Sequence, residues 1–171
     1  MTALVGQFDL AWALAELHLS ALVDDDFLWE PVEVVWTVRP DGAGTWRPDW
    51  SDVEPDPIPV PTIGWLTWHI TWWWSVTLAH LNGVEPPART DVTWPGGAAA
   101  VSRIRELAAR WRATVESLTA TDLERNSAFP WGTDRGRTVA DSVLWLHVEL
   151  TKNAAEIGQL RMLRAVSRPT R

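Results

Sequence analysis

Residues 62–74 read Thr-Ile-Gly-Trp-Leu-Thr-Trp-His-Ile-Thr-Trp-Trp-Trp, which sets His69 among five of the chain's fourteen tryptophans. Histidine is a common metal ligand and the usual proton shuttle near neutral pH, and indoles make apolar walls. Together they have the chemistry of a dry pocket around one reactive group. A plainer reading competes with this one, because a helical aromatic stripe is more often core and a lone histidine is more often a hydrogen-bonded bystander.

A second constellation lies near the C-terminus. Glu149, Lys152, Asn153 and Glu156 fall at i, i+3, i+4 and i+7 and so share one helical face. They are flanked by Leu146, Val148, Leu150, Ala154, Ala155, Ile157 and Leu160. A solvated stripe with ion pairs of small value would look the same. The apolar residues nearly encircle the helix, however, so the polar stripe is expected to be paired inside the protein, with His69 as its partner from another helix. The other histidines are weaker candidates: His18 reads as a satisfied core or surface residue, and His80 as an imidazolium near a helix end. His147, two residues before Glu149, should face away from any site containing Glu149.

The elements that must position these residues are helical. Phe8, Ala11, Trp12, Ala15, Leu19 and Leu22 recur at steps of three or four, and with the other periodic stretches they predict helices at about 3–23, 62–81, 98–118 and 138–166. Asp24 to Asp26 end or follow the first. Thr62 is the expected N-cap of the second helix and Asn82-Gly83 its stop. Thr121-Asp-Leu-Glu124 has the form of a capping box and predicts a short helical turn. Between the first two helices lies a long Trp- and Pro-rich insertion. Pro40-Asp-Gly-Ala-Gly44 predicts a small β-hairpin within it, and Pro48, Pro55, Pro57, Pro59 and Pro61 predict an irregular acidic connector. Because the insertion carries Trp29, Trp36, Trp46 and Trp50, it is expected to be an ordered cover on the helices.

Composition excludes several classes. With 171 residues the chain reads as a single domain, 1–171, of the all-α class. It has no cysteine, so thiol nucleophiles and zinc-thiolate or iron-sulfur sites are ruled out. A formal net charge of −7 argues against nucleic acid. The start lacks a basic leader, which gives a cytoplasmic expectation. The 19 residues Ile63–Leu81 contain no Asp, Glu, Lys or Arg, but two histidines, a serine and three threonines among them argue against a membrane span. Each buried indole needs an acceptor for its N–H, so carbonyls or carboxylates are expected beside the tryptophans. Lys152 is the only lysine beside fourteen arginines. Arg161, Arg164, Arg168 and Arg171 are accounted for as cations offsetting a helix dipole.

The succession Phe27-Leu-Trp-Glu-Pro31, Trp36-Thr-Val-Arg-Pro40, Gly44-Thr-Trp46, Pro61-Thr-Ile-Gly-Trp65, Trp68-His-Ile70 and Glu149-Leu-Thr-Lys-Asn-Ala-Ala-Glu-Ile157 with Leu160-Arg161 resembles the DinB-like superfamily, in particular an actinobacterial branch. The resemblance runs over nearly the whole chain. It implies an up-down-down-up four-helix bundle, commonly a homodimer, related to thiol-dependent enzymes such as mycothiol-dependent maleylpyruvate isomerase. It also implies a divalent metal, nickel, zinc or iron, held by one histidine on the second helix and two on the last. The first position matches His69, and the other two fall on Glu149 and Asn153. An asparagine amide is a poor ligand for such metals, and Lys152 would oppose a dication, so the metal is expected to be absent or weakly bound. In its place the expectation is an internal cluster, with Glu149 accepting from the His69 ring and Lys152 pairing with Glu149 or Glu156. A shell of His69, Glu149 and Glu156 is the competing arrangement.

Three functional readings follow. One is a binding protein with a degenerate metal site, whose pocket of Trp65, Trp72, Trp73, Trp145 and Lys152 surrounds His69 and takes a small apolar or cationic molecule, with His69 and Glu149 the candidate reactive groups. Another is a metal-dependent transferase or isomerase acting on thiols of the mycothiol or bacillithiol type, in which the metal lowers the pKa of a thiol or water. The last is a structural homodimer without ligand.

Overall fold

The computed structural model describes residues 2–132 and 135–167. In chain order it contains α1 (Thr2–Leu19), α2 (Asp24–Phe27), β1 (Val35–Trp36), β2 (Val38–Pro40), β3 (Trp46–Pro48), β4 (Val60–Pro61), α3 (Ile63–Leu81), a 3-10 turn at Arg89–Asp91, α4 (Gly97–Ser117), α5 (Ala120–Glu124) and α6 (Val139–Ser167). The four long helices pack so that α1 lies on α6 and α4, and α3 on α4 and α6. The side chains they enclose include Phe8, Trp68, Trp74, Ile104, Trp111 and Leu146, all of them buried. No helix among the described residues is long and apolar enough to cross a membrane.

The long helices start where local chemistry predicts. Thr62 caps α3, its hydroxyl accepting from the Trp65 amide at 3.2 Å. Asn82 closes that helix, and Gly83 follows with φ of +64°, a conformation that suits a residue without Cβ. Thr138 and Asp141 cap the start of α6 reciprocally, the Asp141 carboxylate accepting from the Thr138 amide at 2.9 Å.

Three local expectations are corrected. The first helix stops at Leu19 rather than 23, because the Asp26 carboxylate bonds the Val23 amide at 2.9 Å and starts the separate turn α2. Asp26 is itself buried and meets Arg164 of α6 at 3.0 Å, so Arg164 joins two elements as well as standing near a helix end. Arg168 and Arg171 lie outside the described residues. The capping box of α5 is Thr119 with Asp122, two residues before the predicted one, since the Asp122 carboxylate already satisfies the Thr119 amide at 2.9 Å. Finally, the proline connector is not wholly irregular: β4 pairs in parallel with β1, Val35 opposite Val60. Pro61 has no N–H to give, but the bonds are made by its neighbours, Val60 N–H to Val34 O at 3.1 Å and Thr62 N–H to Trp36 O at 2.8 Å.

The hairpin forms as expected, β2 against β3 with Val38 opposite Pro48. The Asp41 carboxylate closes its turn by accepting from the amides of Ala43 and Thr45, both at 2.9 Å, while Gly44 takes a positive φ. The insertion is an ordered cover whose Trp29, Trp36, Trp46 and Trp50 pack against the core. Indole N–H groups of α3 hold the cover and the connections down. Trp65 donates to Asp49 O at 2.8 Å and Trp68 to Val92 O at 2.7 Å. Trp94 donates in turn to the Thr67 hydroxyl at 3.1 Å. Loop carbonyls and a hydroxyl thus meet three of the six buried indoles, Asn153 and His147 meet Trp73 and Trp111, and Trp74 Nε1 has no partner among the described residues.

Candidate functional site

Where α3 packs on α6, Trp73 meets Asn153 and Trp145 and the Lys152 charge acts on His69, but the pairings differ from those expected. His69 stacks on Trp65 with ring centroids 4.7 Å apart and planes 15° apart, and Trp72 leans on it at 5.9 Å. Its Nδ1 is buried and has no hydrogen-bond partner. Burial, reinforced by the positive charge of Lys152, pushes its pKa down to about 3. A ring held neutral to that degree is a weak base with almost no imidazolium at neutral pH, which disfavours His69 as a general acid or base there.

On α6, Lys152 pairs with Glu149 at 3.1 Å, one of the two pairings expected for it. The Glu149 carboxylate therefore faces its own helix neighbour, and among the described residues no hydrogen bond joins it to His69. Asn153 is buried and fully engaged: its carbonyl accepts from Trp73 Nε1 at 3.2 Å, and its amide donates to the Glu156 carboxylate at 2.8 Å. Trp145 meets Trp73 edge-on at 5.9 Å. Trp65 and Trp73 are buried and close the site from beneath, while Trp72 and Trp145 are only partly covered.

Sequence reasoning missed the insertion's part in this face. Trp36 stacks on Trp65 at 5.1 Å, and Trp50 meets Trp72 edge-on at 5.4 Å with Arg89 over its ring. The aromatic run around His69 is therefore built by two separate segments. The only signal was the tryptophan content of the insertion, which indicated packing but not where.

The residues present do not fit a divalent metal. Among the described residues no three His, Asp or Glu side chains gather closely enough to hold one. Asn153, the amide at a family position, is committed to Trp73 and Glu156. The Lys152 ammonium further disfavours a dication beside His69.

Two cavities lie near these helices, and His69 lines neither. A wide groove of about 1170 Å³, with polar and apolar walls, runs between α3 and α4, past Thr71, Leu78, Asn82, Val92, Arg103 and Arg110. A smaller one, about 400 Å³, lies between the insertion and α6 and includes Glu156 in its wall.

A family model described as the DinB superfamily matches residues 7–157, a span that takes in α3, α4, most of α1 and α6, the insertion and His69. The chain belongs to the DinB superfamily. A crystal structure of a conserved protein from Enterococcus faecalis has a similar fold, with a TM-score of 0.66 and 11% identity, each chain covered over 97% of its length. At that identity the likeness concerns the fold alone. No curated protein matches the chain.

Proposed function

We propose that this DinB-superfamily chain is a binding protein rather than a metal-dependent enzyme, taking a small apolar or cationic molecule on the α3–α6 face around His69. The assignment takes the four long helices as an up-down-down-up bundle and the chain as a member of an actinobacterial branch. One observation carries the reading. The Nδ1 of His69 is buried against indoles with no partner, while the groups that would complete a metal shell, Glu149, Asn153 and Glu156, are engaged with one another's neighbours. A buried polar atom left unpaired costs about 1–3 kcal/mol, and a bound molecule that reaches it recovers part of that.

Metal analysis with a binding assay tests this. The purified protein is expected to contain no stoichiometric nickel, zinc or iron, and its tryptophan fluorescence to respond to one or more of a panel of small amines and thiols, a response lost in His69→Ala. Stoichiometric metal that disappears in His69→Ala would overturn the reading in favour of the thiol-dependent transferase. A protein silent to the whole panel would leave only the structural role.

A separate observation supports self-association. The outer face of α1 carries Leu10, Leu14 and Leu17, and the adjoining face of α6 carries Leu144, Val148 and Met162, all exposed. The two acids of α1 are turned to α4, Asp9 to Arg112 and Glu16 to Arg105. The uncharged face is as long as α1, about 27 Å, and two helices or roughly 20 Å wide, a footprint of roughly 540 Å² against the ~800 Å² per partner of a standard interface. We assign a second copy of the chain to it. Sedimentation is expected to show a dimer that Leu14→Glu with Val148→Glu converts to a folded monomer; a monomeric wild type at high concentration refutes the assignment.

A further inference from the structure

The cavity beside α6 holds a carboxylate that pairs with no cation among the described residues. Its walls are apolar, with Trp29, Pro31, Pro61, Leu160 and Leu163 among them, and Glu156 is the only charged residue lining it. The Glu156 carboxylate is held in place from behind, because Trp73 donates to Asn153 and Asn153 donates to Glu156 Oε2 at 2.8 Å. That chain uses one carboxylate oxygen and brings no positive charge. The single nearby lysine, Lys152, is spent on Glu149, and among the described residues no cation pairs with Glu156.

We propose that this cavity binds a small organic cation, an amine or quaternary ammonium with an apolar body. Its volume of about 400 Å³ lies within the range of ordinary ligand sites, ~300–1,000 Å³. A neutral apolar occupant would strip water from Glu156 without replacing it, and an anion would be repelled. A metal ion would find one carboxylate where it needs at least three donors. An organic cation satisfies both halves of the site: its charge meets the Glu156 carboxylate, and its body lies against Trp29 and the prolines, where an indole face adds attraction for the cation. The net charge of −7 favours the approach of such a molecule.

The cavity lies between the insertion and α6, apart from the His69 face, so the inference stands or falls separately from the reading of that face. Benzyltrimethylammonium and the neutral benzyl alcohol serve as probes, in calorimetry and in NMR of the indole N–H signals. Wild-type protein is expected to bind the cation roughly tenfold or more tightly than the alcohol, moving the Trp29 signal and leaving that of Trp72 in place. Glu156→Gln keeps an acceptor for Asn153, so it is expected to fold normally and to lose that preference. Equal binding of both probes, no binding of the cation, or unchanged binding in Glu156→Gln overturns the proposal. If the cation instead moves the Trp65 and Trp72 signals and is lost in His69→Ala, the cavity inference falls while the His69 site stands.

Discussion

His147 and His69 are the same residue, both covered by the bundle, both with pKa pushed far down by burial, yet one is built into the fold and the other is left over by it. His147 sits between α1, α4 and α6. Its Nε2 accepts from Trp111 Nε1 at 3.2 Å, which leaves Nδ1–H to donate to Gln7 Oε1 at 3.0 Å, so three helices fix one tautomer. His69 sits between α3 and α6 with indoles on either side and its Nδ1 unpaired. The difference separates a polar group that specifies packing from one whose Nδ1 no group among the described residues engages. Burial and pKa alone would not tell them apart, since both are lowered, to about 4 and about 3.

The contrast breaks most directly at the level of stability. His147→Leu leaves the buried Trp111 N–H without an acceptor, while the exposed Gln7 turns to water, and is expected to cost about 1–3 kcal/mol by urea unfolding. His69→Leu removes an unpaired buried polar atom and is expected to leave stability unchanged or raise it by up to about 1–3 kcal/mol, the lost stacking on Trp65 offsetting part of the gain. Equal losses in the two variants would erase the distinction.

Acid unfolding sharpens it at a smaller scale. His147 in the folded chain titrates at about 4 against an ordinary 6.5, and burial alone is the cause. The unfolded chain therefore takes up the proton first, so this contribution to stability is fully present above pH 6.5 and is lost as pH falls toward about 4. Urea midpoints taken from neutral pH down through this window are expected to fall less steeply for His147→Gln than for wild type. Parallel curves would mean that the ring is not desolvated.

The smallest effect concerns Lys152. Its pair with Glu149 is half exposed on the lysine side, so Lys152→Met is expected to alter stability by under about 0.5 kcal/mol. The same change removes a positive charge that holds the His69 pKa down, so an NMR titration of the His69 ring is expected to move upward from about 3. A stationary titration would place desolvation as the whole cause.

Much of the frame was legible because it is local. Apolar residues at steps of three and four, together with Thr62, Asn82 and Thr138, mark the long helices to within a few residues, and Pro40-Asp-Gly-Ala-Gly44 marks the hairpin. The pairing of β1 with β4 was not legible, since it joins segments some 25 residues apart through backbone groups that any sequence carries. At the site, helical spacing put Glu149, Lys152, Asn153 and Glu156 on one face, but partner choice depends on how α3 and α6 register. That register gives Asn153 to Trp73 and leaves Glu149 with Lys152 rather than His69. His147 was read only as facing away from Glu149; its role needed the positions of Gln7 and Trp111 on two other helices.

The clamp between β1 and β4 also bears on how this architecture can vary. Chain leaves the bundle at Val35 and re-enters beside the same point at Val60, so the 36–59 excursion begins and ends on one spot of the scaffold. Doubling the length of such an excursion adds only about 0.6 kcal/mol of closure entropy. Its exposed tip, residues 51–54, is consequently a splice point where foreign sequence enters without disturbing helix packing. Trp29, Pro31 and Pro61, which line the small cavity, stand outside the excursion. The covering aromatics Trp36, Trp46 and Trp50 are carried by it, so exchanging this cassette re-tiles the aromatic face of α3 while the Glu156 compartment is inherited intact.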